Sequence, residues 1–214
     1  MSRKRLGILI SGRGSNMEAL LRAARTADWP AEIVTVGSNR PDAAGLAKAE
    51  AAGVATFALD HKQYGKDREA FERALDAKLV AAGVELVALA GFMRVLTPWF
   101  VERWAGRLIN IHPSLLPKYP GLDTHQRALD AGDTEHGCTV HHVTAGVDEG
   151  PVIAQARIAV HGSDTAETLA GRLLHAEHLL YPLSIVRLCA PEQLDPPGPQ
   201  ELEINGEPVR ITFP

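Results

Sequence analysis

Asn110 and His112 lie two residues apart in the stretch 108–121, which begins as an apolar segment and ends in a loop with three prolines and a glycine. If the chain is still extended at this pair, both side chains project from one face at the carboxyl end of a strand. The amide can donate to a developing oxyanion, and the imidazole can move a proton. The spacing therefore suits chemistry at a carbonyl group, although two polar residues that satisfy loop hydrogen bonds would share it.

A glycine-rich turn at 11–16, S-G-R-G-S-N, follows the apolar segment 6–10 and precedes a helical pattern at 17–26. Backbone N–H groups and the helix dipole at such a turn favour a bound phosphate. The dinucleotide-binding fingerprint requires a third glycine, where this chain has Met17, and an acid after the second strand, where it has Gly37-Ser38-Asn39. The turn therefore predicts a phosphate monoester site and disfavours a nicotinamide cofactor.

Strand and helix patterns alternate through the first half of the chain, which predicts an α/β fold. We expect a doubly wound, Rossmann-like, mostly parallel sheet with helices on both faces. Ligands of such sheets bind beyond the carboxyl ends of the strands, where the glycine-rich turn and the Asn110/His112 pair both fall. The predicted strands are 6–10, 32–36, 54–58, 85–91 and 108–112, and the predicted helices are 17–26, 41–52, 67–82 and 97–104.

The pattern changes after residue 121, and it predicts an antiparallel C-terminal part. A capping box at Asp123 opens a predicted helix to about residue 131. Further along, the sequence predicts two edge-type strands, a long helix, a proline-rich linker and a β-hairpin with an Asn-Gly turn. These elements span 138–143 and 152–160, 165–188, 191–199 and 202–211, in that order.

Composition excludes several classes of protein. The net charge is −4 and there is no basic run, so we expect no nucleic-acid partner. The two cysteines, Cys138 and Cys189, lie far apart, which fits a reducing cytoplasm. No apolar run reaches membrane-spanning length.

The remaining histidines are not expected to bind a metal. His175 and His178 are spaced for metal binding but lack a third ligand. Four others are interpreted as loop or cap residues: His61, His125, His136 and His161.

Five motifs together resemble the phosphoribosylglycinamide formyltransferases, a folate-dependent family of purine synthesis within the formyltransferase superfamily. The resemblance covers about residues 5–190 and is most specific in the N-x-H-x-S-L-L-P string followed by D-x-G-P. The motifs are Ser11-Gly-Arg-Gly-Ser-Asn16, Ala90-Gly-Phe-Met-Arg-Val-Leu96, the stretch 110–125, His136-Gly-Cys-Thr-Val-His141 and Asp148-Glu-Gly-Pro151.

The resemblance implies transfer of a formyl group from 10-formyltetrahydrofolate to the amine of glycinamide ribonucleotide. Asn110 would stabilise the oxyanion, His112 would handle the proton, and Asp148 would keep the imidazole in its useful protonation state by raising its pKa. The substrate would contact Gly14, Ser15 and Asn16 through its phosphate and Glu177 through its ribose. The folate site would comprise Arg68, Met93, Arg94, Val95, Leu96, Asn110, Ala145, Gly146, Val147 and Asp148.

We expect a single formyltransferase domain at 1–190, with a phosphate-binding half at about 1–105 and a catalytic and folate half at about 106–190. Residues 191–214 would form the linker and the hairpin tail, and the protein would be a cytoplasmic monomer or homodimer. The hairpin could cover a sheet edge, contact a second subunit or pack on the last helix.

Three alternatives share part of this pattern. Methionyl-tRNA formyltransferase should carry a basic C-terminal domain, for which this acidic chain has no candidate. Formyltetrahydrofolate hydrolase shares the Asn/His/Asp core but usually has an N-terminal regulatory domain. A non-catalytic module that binds a nucleotide phosphate would use the glycine-rich turn and leave Asn110, His112 and Asp148 unexplained.

Overall fold

The computed structural model describes residues 3–194 and 199–214. The chain divides into two units, each with its own packing. Unit 1 comprises Met1–Asn110 with Val143–Ala145, and unit 2 comprises Ile111–His142 with Gly146–Pro214. The division of a domain at 1–190 into halves near residue 105 stays a prediction. No helix in the described part of the chain has the length and apolar character needed to cross a membrane.

Unit 1 is built on a parallel sheet in the order β3-β2-β1-β4-β5. β1 pairs with β2 on one side and with β4 on the other, so the strand order reverses at β1, as in doubly wound sheets. Ligand sites of such sheets lie beyond the carboxyl ends of the strands where the order reverses. The strands are β1 Lys4–Ile10, β2 Ala31–Ser38, β3 Thr56–Ala58, β4 Leu86–Leu89 and β5 Leu108–His112.

Helices connect the strands of unit 1, and their apolar faces explain why they form. On the third helix, Phe71, Leu75 and Leu79 recur at intervals of four residues and are all fully buried. Burial of each such side chain contributes about 2 kcal/mol. The Asp67 side chain caps this helix by accepting from the Ala70 N–H at 2.9 Å. The helices are α1 Ser15–Ala23, α2 Ala44–Ala51, α3 Arg68–Ala81 and α4 Pro98–Arg103.

Unit 2 carries an antiparallel sheet in the order β6-β7-β9-β8. Its long helix α6 begins after Thr165, whose side chain forms a reciprocal capping box with Thr168. Leu169, Leu173 and Leu180 lie on the buried face of α6, which packs against β6 and β7. The elements are α5 Thr124–Asp130, β6 Glu135–His142, β7 Val152–Ala159, α6 Ala166–Cys189, β8 Gln200–Ile204 and β9 Glu207–Thr212. The predicted fold class is confirmed, with a parallel α/β part and antiparallel C-terminal strands.

The C-terminal hairpin covers a sheet edge, one of the three placements left open by the sequence, and it also contacts the last helix, where Arg172 lies 3.1 Å from Glu207. β9 pairs with β7 along Gln155–Arg157, and Asn205 and Gly206 form the turn with φ of 51° and 81°. The prediction that β7 is an edge strand is therefore wrong, because the hairpin adds two strands beside it. The predicted linker contains a 3-10 turn at Pro191–Gln193, and its residues 195–198 lie outside the described part of the chain.

Two local interpretations are also wrong. Asp123 does precede α5, but its backbone is left-handed at φ 57° and its side chain makes no capping hydrogen bond, so the capping box does not form. His125 and His136 are not loop or cap residues, because they lie in α5 and β6. Nε2 of His136 lies 3.1 Å from Nδ1 of His125, and His136 is only 1% exposed.

This buried pair predicts how stability depends on pH. Burial lowers the pKa of His136 to about 4, whereas an unfolded histidine titrates near 6.5. Between these values the unfolded chain binds more protons, so stability present above pH 6.5 is lost as the pH falls toward 4. We expect this group to lower the free energy of unfolding by about 3 kcal/mol over that range. In urea titrations, His136→Gln should flatten the pH dependence. Exposed His175→Gln should not, and equal slopes for all three proteins would contradict the prediction.

Candidate active site

His112 is the last residue of β5 and is held at both ring nitrogens. Its Nδ1 lies 3.3 Å from Oδ2 of Asp148, and its Nε2 lies 2.9 Å from the carbonyl oxygen of Tyr119. Because a carbonyl oxygen only accepts, the 2.9 Å contact is a hydrogen bond only when Nε2 carries a proton, and the longer 3.3 Å contact leaves Nδ1 as the nitrogen that gains the second one. When the ring gains a second proton, Nδ1 donates it toward a carboxylate. The two contacts together favour the imidazolium form, which suits a group that accepts a proton during a reaction.

Asp148 lies between two imidazole rings. Its Oδ2 also accepts from the Gly121 N–H at 2.9 Å, and its Oδ1 lies 3.6 Å from Nε2 of His141. His141 is 2% exposed, and its Nδ1 lies 2.9 Å from the carbonyl oxygen of His142. His141 ends one of the five motifs that carry the resemblance, a position interpreted from the sequence as near the site, and the structure places it against Asp148.

The protonation states follow from burial and these contacts. Burial lowers the pKa of His112. The Tyr119 carbonyl and the Asp148 charge both act against this and raise it. Burial raises the pKa of Asp148, but the His141 contact, the Gly121 N–H and the nearby His112 and His141 rings lower it to a net value below its ordinary range. Asp148 is therefore ionised at neutral pH. Asp148 raises the pKa of His112, as expected, but burial lowers it by more, so the net pKa of His112 is below its ordinary value.

Gly150 fixes the loop that carries Asp148. A Cβ atom at this position would lie 1.6 Å from the carbonyl oxygen of His142, so no other residue fits without moving the backbone. The same His142 donates its N–H to the Pro151 carbonyl at 2.9 Å. These contacts give a physical reason for the D-x-G-P motif, because they hold the loop against the strand that carries His141.

A second candidate site is a cavity of about 530 Å³ in unit 1. It lies at the carboxyl ends of β1 and β4, where the strand order reverses. Gly14 adopts φ 73° and α1 begins at the next residue. A Cβ at Gly45 would lie 2.5 Å from Ile10 Cδ1 and 3.1 Å from the Gly12 oxygen, so α2 packs directly on the turn. The three predicted phosphate ligands, Gly14, Ser15 and Asn16, all line this cavity.

Ser11 joins the glycine-rich turn to the predicted folate segment. Its Oγ accepts from the Met93 N–H at 2.8 Å and donates to Oδ1 of Asn39 at 2.5 Å. Its own N–H donates to the Gly91 carbonyl at 3.0 Å. Met93 and Arg94, both predicted to bind folate, therefore line the same cavity as the turn. Ser11 and Asn39 could not be singled out from the sequence, because their contact depends on the pairing of β1 with β2.

Helix α3 contacts the rest of the predicted folate segment through side chains on its first turns. Arg68 donates to the Val95 carbonyl, and buried Glu72 accepts from the Thr97 N–H at 2.9 Å. The Arg94 guanidinium lies 5.0 Å from the centre of the Phe71 ring. Glu72 is a further residue that sequence reasoning missed, because its contact with Thr97 joins two elements that are separate in the sequence.

The remaining predicted residues occupy separate elements. Asn110 is half-buried in β5, opposite Leu89 of β4. Met93, Val95 and Val147 are 70%, 59% and 51% exposed, so their apolar surfaces are open to a ligand. Leu96 packs against the core of unit 1, Ala145 and Gly146 lie in the loop before Asp148, and Glu177 is half-buried in α6.

The fold and these contacts define a class of α/β protein with a glycine-rich turn where the strand order reverses and a buried His-Asp pair at the end of the fifth strand. The family model described as "Formyl transferase" matches residues 4–185. The chain belongs to this family.

Individual relatives support the assignment. The phosphoribosylglycinamide formyltransferase of Escherichia coli is 48% identical over 178 residues, which are 83% of this chain and 84% of that protein. A crystal structure of phosphoribosylglycinamide formyltransferase from Brucella melitensis has a TM-score of 0.85 and 54% identity, covering 88% of this chain and 97% of that one. The trifunctional purine biosynthetic protein adenosine-3 of Drosophila pseudoobscura pseudoobscura is 47% identical over 88% of this chain, which spans only 14% of that protein.

Proposed function

We propose that this protein transfers the formyl group of 10-formyltetrahydrofolate to the amine of glycinamide ribonucleotide, a step of purine biosynthesis. Family membership and the relatives named for this activity support the proposal. The observation that carries the mechanism is the contact between His112 and Asp148 at the end of β5. The cytoplasmic location, the monomeric or dimeric state and the absence of nucleic-acid partners and of a metal stay predictions.

The reaction needs the groups that these residues supply. The neutral amine attacks the formyl carbon, a new carbon–nitrogen bond forms, and negative charge develops on the formyl oxygen. The bond from the formyl carbon to the folate nitrogen then breaks, and a proton passes from the attacking nitrogen to the leaving one. Two substrates bound side by side need no covalent enzyme intermediate, because positioning and charge stabilisation lower the barrier.

Each residue of the core has one role in this proposal. The Asn110 side-chain amide donates to the oxyanion, and His112 carries the proton between the two nitrogens. Asp148 stabilises the imidazolium that forms in transit, which its 3.3 Å distance and its negative charge both support. No serine or cysteine nucleophile is required, and Ser114 is engaged in a turn, donating to the Lys118 carbonyl at 2.6 Å.

Substrate binding is assigned to two sets of residues. Gly14, Ser15 and Asn16 bind the phosphate through the N-terminus of α1, and Glu177 contacts the ribose. The folate ring would contact the exposed apolar side chains of Met93, Val95 and Val147. Arg68 holds the backbone next to them by donating to the Val95 carbonyl. The folate set is Arg68, Met93, Arg94, Val95, Leu96, Asn110, Ala145, Gly146, Val147 and Asp148.

An assay of folate release distinguishes this function from its alternatives. Purified protein is mixed with 10-formyltetrahydrofolate with and without glycinamide ribonucleotide. Release that requires the nucleotide supports the transferase. Release without the nucleotide would instead identify a formyltetrahydrofolate hydrolase. Phosphate-ligand binding without any release would favour the non-catalytic module.

Asp148→Asn tests the carboxylate within the same assay. We expect nucleotide-dependent release to fall about tenfold or more, because the amide keeps the shape but loses the charge that stabilises the imidazolium. The Gly121 N–H can still donate to the amide oxygen, so the loop should remain in place. A matched control is Asp130→Asn, on the exposed end of α5. Equal rates for Asp148→Asn and wild type would remove Asp148 from the mechanism.

A further inference from the structure

Tyr119 has an uncommon backbone conformation next to the candidate site. Its φ is 55°, in the left-handed region that bulky residues rarely adopt. Such a conformation persists when surrounding contacts hold it, and these positions cluster at functional sites. The contacts of the Tyr119 side chain and backbone therefore indicate what the conformation is for.

The Tyr119 side chain is held from two directions. Its hydroxyl donates to Oδ2 of Asp133 at 2.8 Å, and Lys118 Nζ lies 2.9 Å from each oxygen of the same carboxylate. The Arg127 guanidinium lies 5.2 Å from the centre of the tyrosine ring. Arg127 also donates to the carbonyl of Pro120 at 2.6 Å, so it fixes the next residue of the chain as well.

The backbone that results touches both members of the His-Asp pair. The Tyr119 carbonyl oxygen lies 2.9 Å from Nε2 of His112. Two residues later, the Gly121 N–H donates to the Asp148 carboxylate at 2.9 Å. One short segment thus holds His112 at Nε2 and holds the carboxylate that faces Nδ1.

We propose that Tyr119 is a positioning residue for His112, which keeps the proton of the neutral imidazole on Nε2 so that Nδ1, beside Asp148, accepts the substrate proton. Asp133 and Arg127 act through Tyr119, because they hold the backbone that aims its carbonyl. This inference rests on the proposed function, in which His112 moves the proton. The charged and titratable groups that act on His112 are Asp148, His141, Arg127, His125 and His136.

Nuclear magnetic resonance of ¹⁵N-labelled histidine tests the positioning without any substrate. In the wild type we expect the neutral His112 ring to carry its proton on Nε2. In Tyr119→Phe, which loses the bond to Asp133, we expect a mixture of both tautomers and a lower pKa of His112, because the carbonyl contact that raises it is weakened. Asp133→Ala should act in the same way. Asp133→Asn should restore the wild-type signal, because its amide oxygen can still accept from the tyrosine.

Kinetics supply the second readout. Tyr119→Phe and Asp133→Ala should lower kcat about ten- to a hundredfold with little change in KM, because a small displacement of a reacting group is costly. The acidic limb of the pH profile should move with the His112 pKa. Tyr64→Phe is a matched control, since it removes a hydroxyl from a ring that packs edge-on against Phe71.

The outcomes separate this inference from the proposed function. A wild-type tautomer and kcat in both Tyr119→Phe and Asp133→Ala would overturn the positioning role, even if transfer activity is present. A changed tautomer in a protein without nucleotide-dependent release would support the positioning and overturn the function. If Tyr119→Phe does not fold, the tautomer and kcat of Asp133→Ala alone test the positioning role.

Discussion

His112→Ala is expected to lower kcat for nucleotide-dependent formyl transfer by about 10²- to 10⁴-fold, the range typical of a lost general acid-base group. The ring lies between the Asp148 carboxylate and the Tyr119 carbonyl, and these two contacts hold it in place for proton transfer. KM values should change little, because the role belongs to the proton-transfer step. Steady-state kinetics at saturating folate and nucleotide measure the effect.

The variant should still fold, although removal of the ring leaves two buried acceptors with weaker partners. Each such group costs about 1–3 kcal/mol, which most domains tolerate. Near-ultraviolet circular dichroism should therefore match the wild type. His175→Ala, an exposed position on α6, is the matched control and should retain full activity. A kcat within threefold of wild type in His112→Ala would show that the proton takes another route.

Asn110→Ala should lower kcat by about 10²- to 10³-fold, as expected when one donor to an oxyanion is removed. The charge on the formyl oxygen exists only in the tetrahedral species, so its loss affects the chemical step and leaves substrate binding nearly unchanged. The position is half-buried and is the last β5 residue paired with β4, so its backbone is held by that pairing independently of its side chain.

Asn110→Asp sharpens this test. The aspartate has nearly the same shape but presents acceptors and a negative charge, so we expect a loss at least as large as in Asn110→Ala. Gln126→Ala, which removes an exposed amide from α5, controls for amide deletion. Activity in Asn110→Asp close to that of wild type would contradict an oxyanion role, since a carboxylate cannot donate to a negative oxygen.

The sequence determined the parts of the fold that have a local period or a local turn. β1 from Leu6 to Ile10 and all of β4 are apolar because both faces of a parallel strand are covered, and this pattern is visible without a structure. The hairpin was predicted from Asn205-Gly206, because few other residues accept two successive left-handed positions. The sequence also singled out Asn110, His112 and Asp148, whose roles stay predictions.

Only the tertiary structure decided which distant residues meet. His112 and Asp148 are far apart in the chain, and their contact exists because the loop fixed by Gly150 folds back along β6. The same holds for Ser11 with Met93, for buried His136 with His125, and for β7, which the hairpin removes from the sheet edge. The left-handed backbone of Tyr119 gives no signal in the sequence, because side-chain contacts made across the fold impose it.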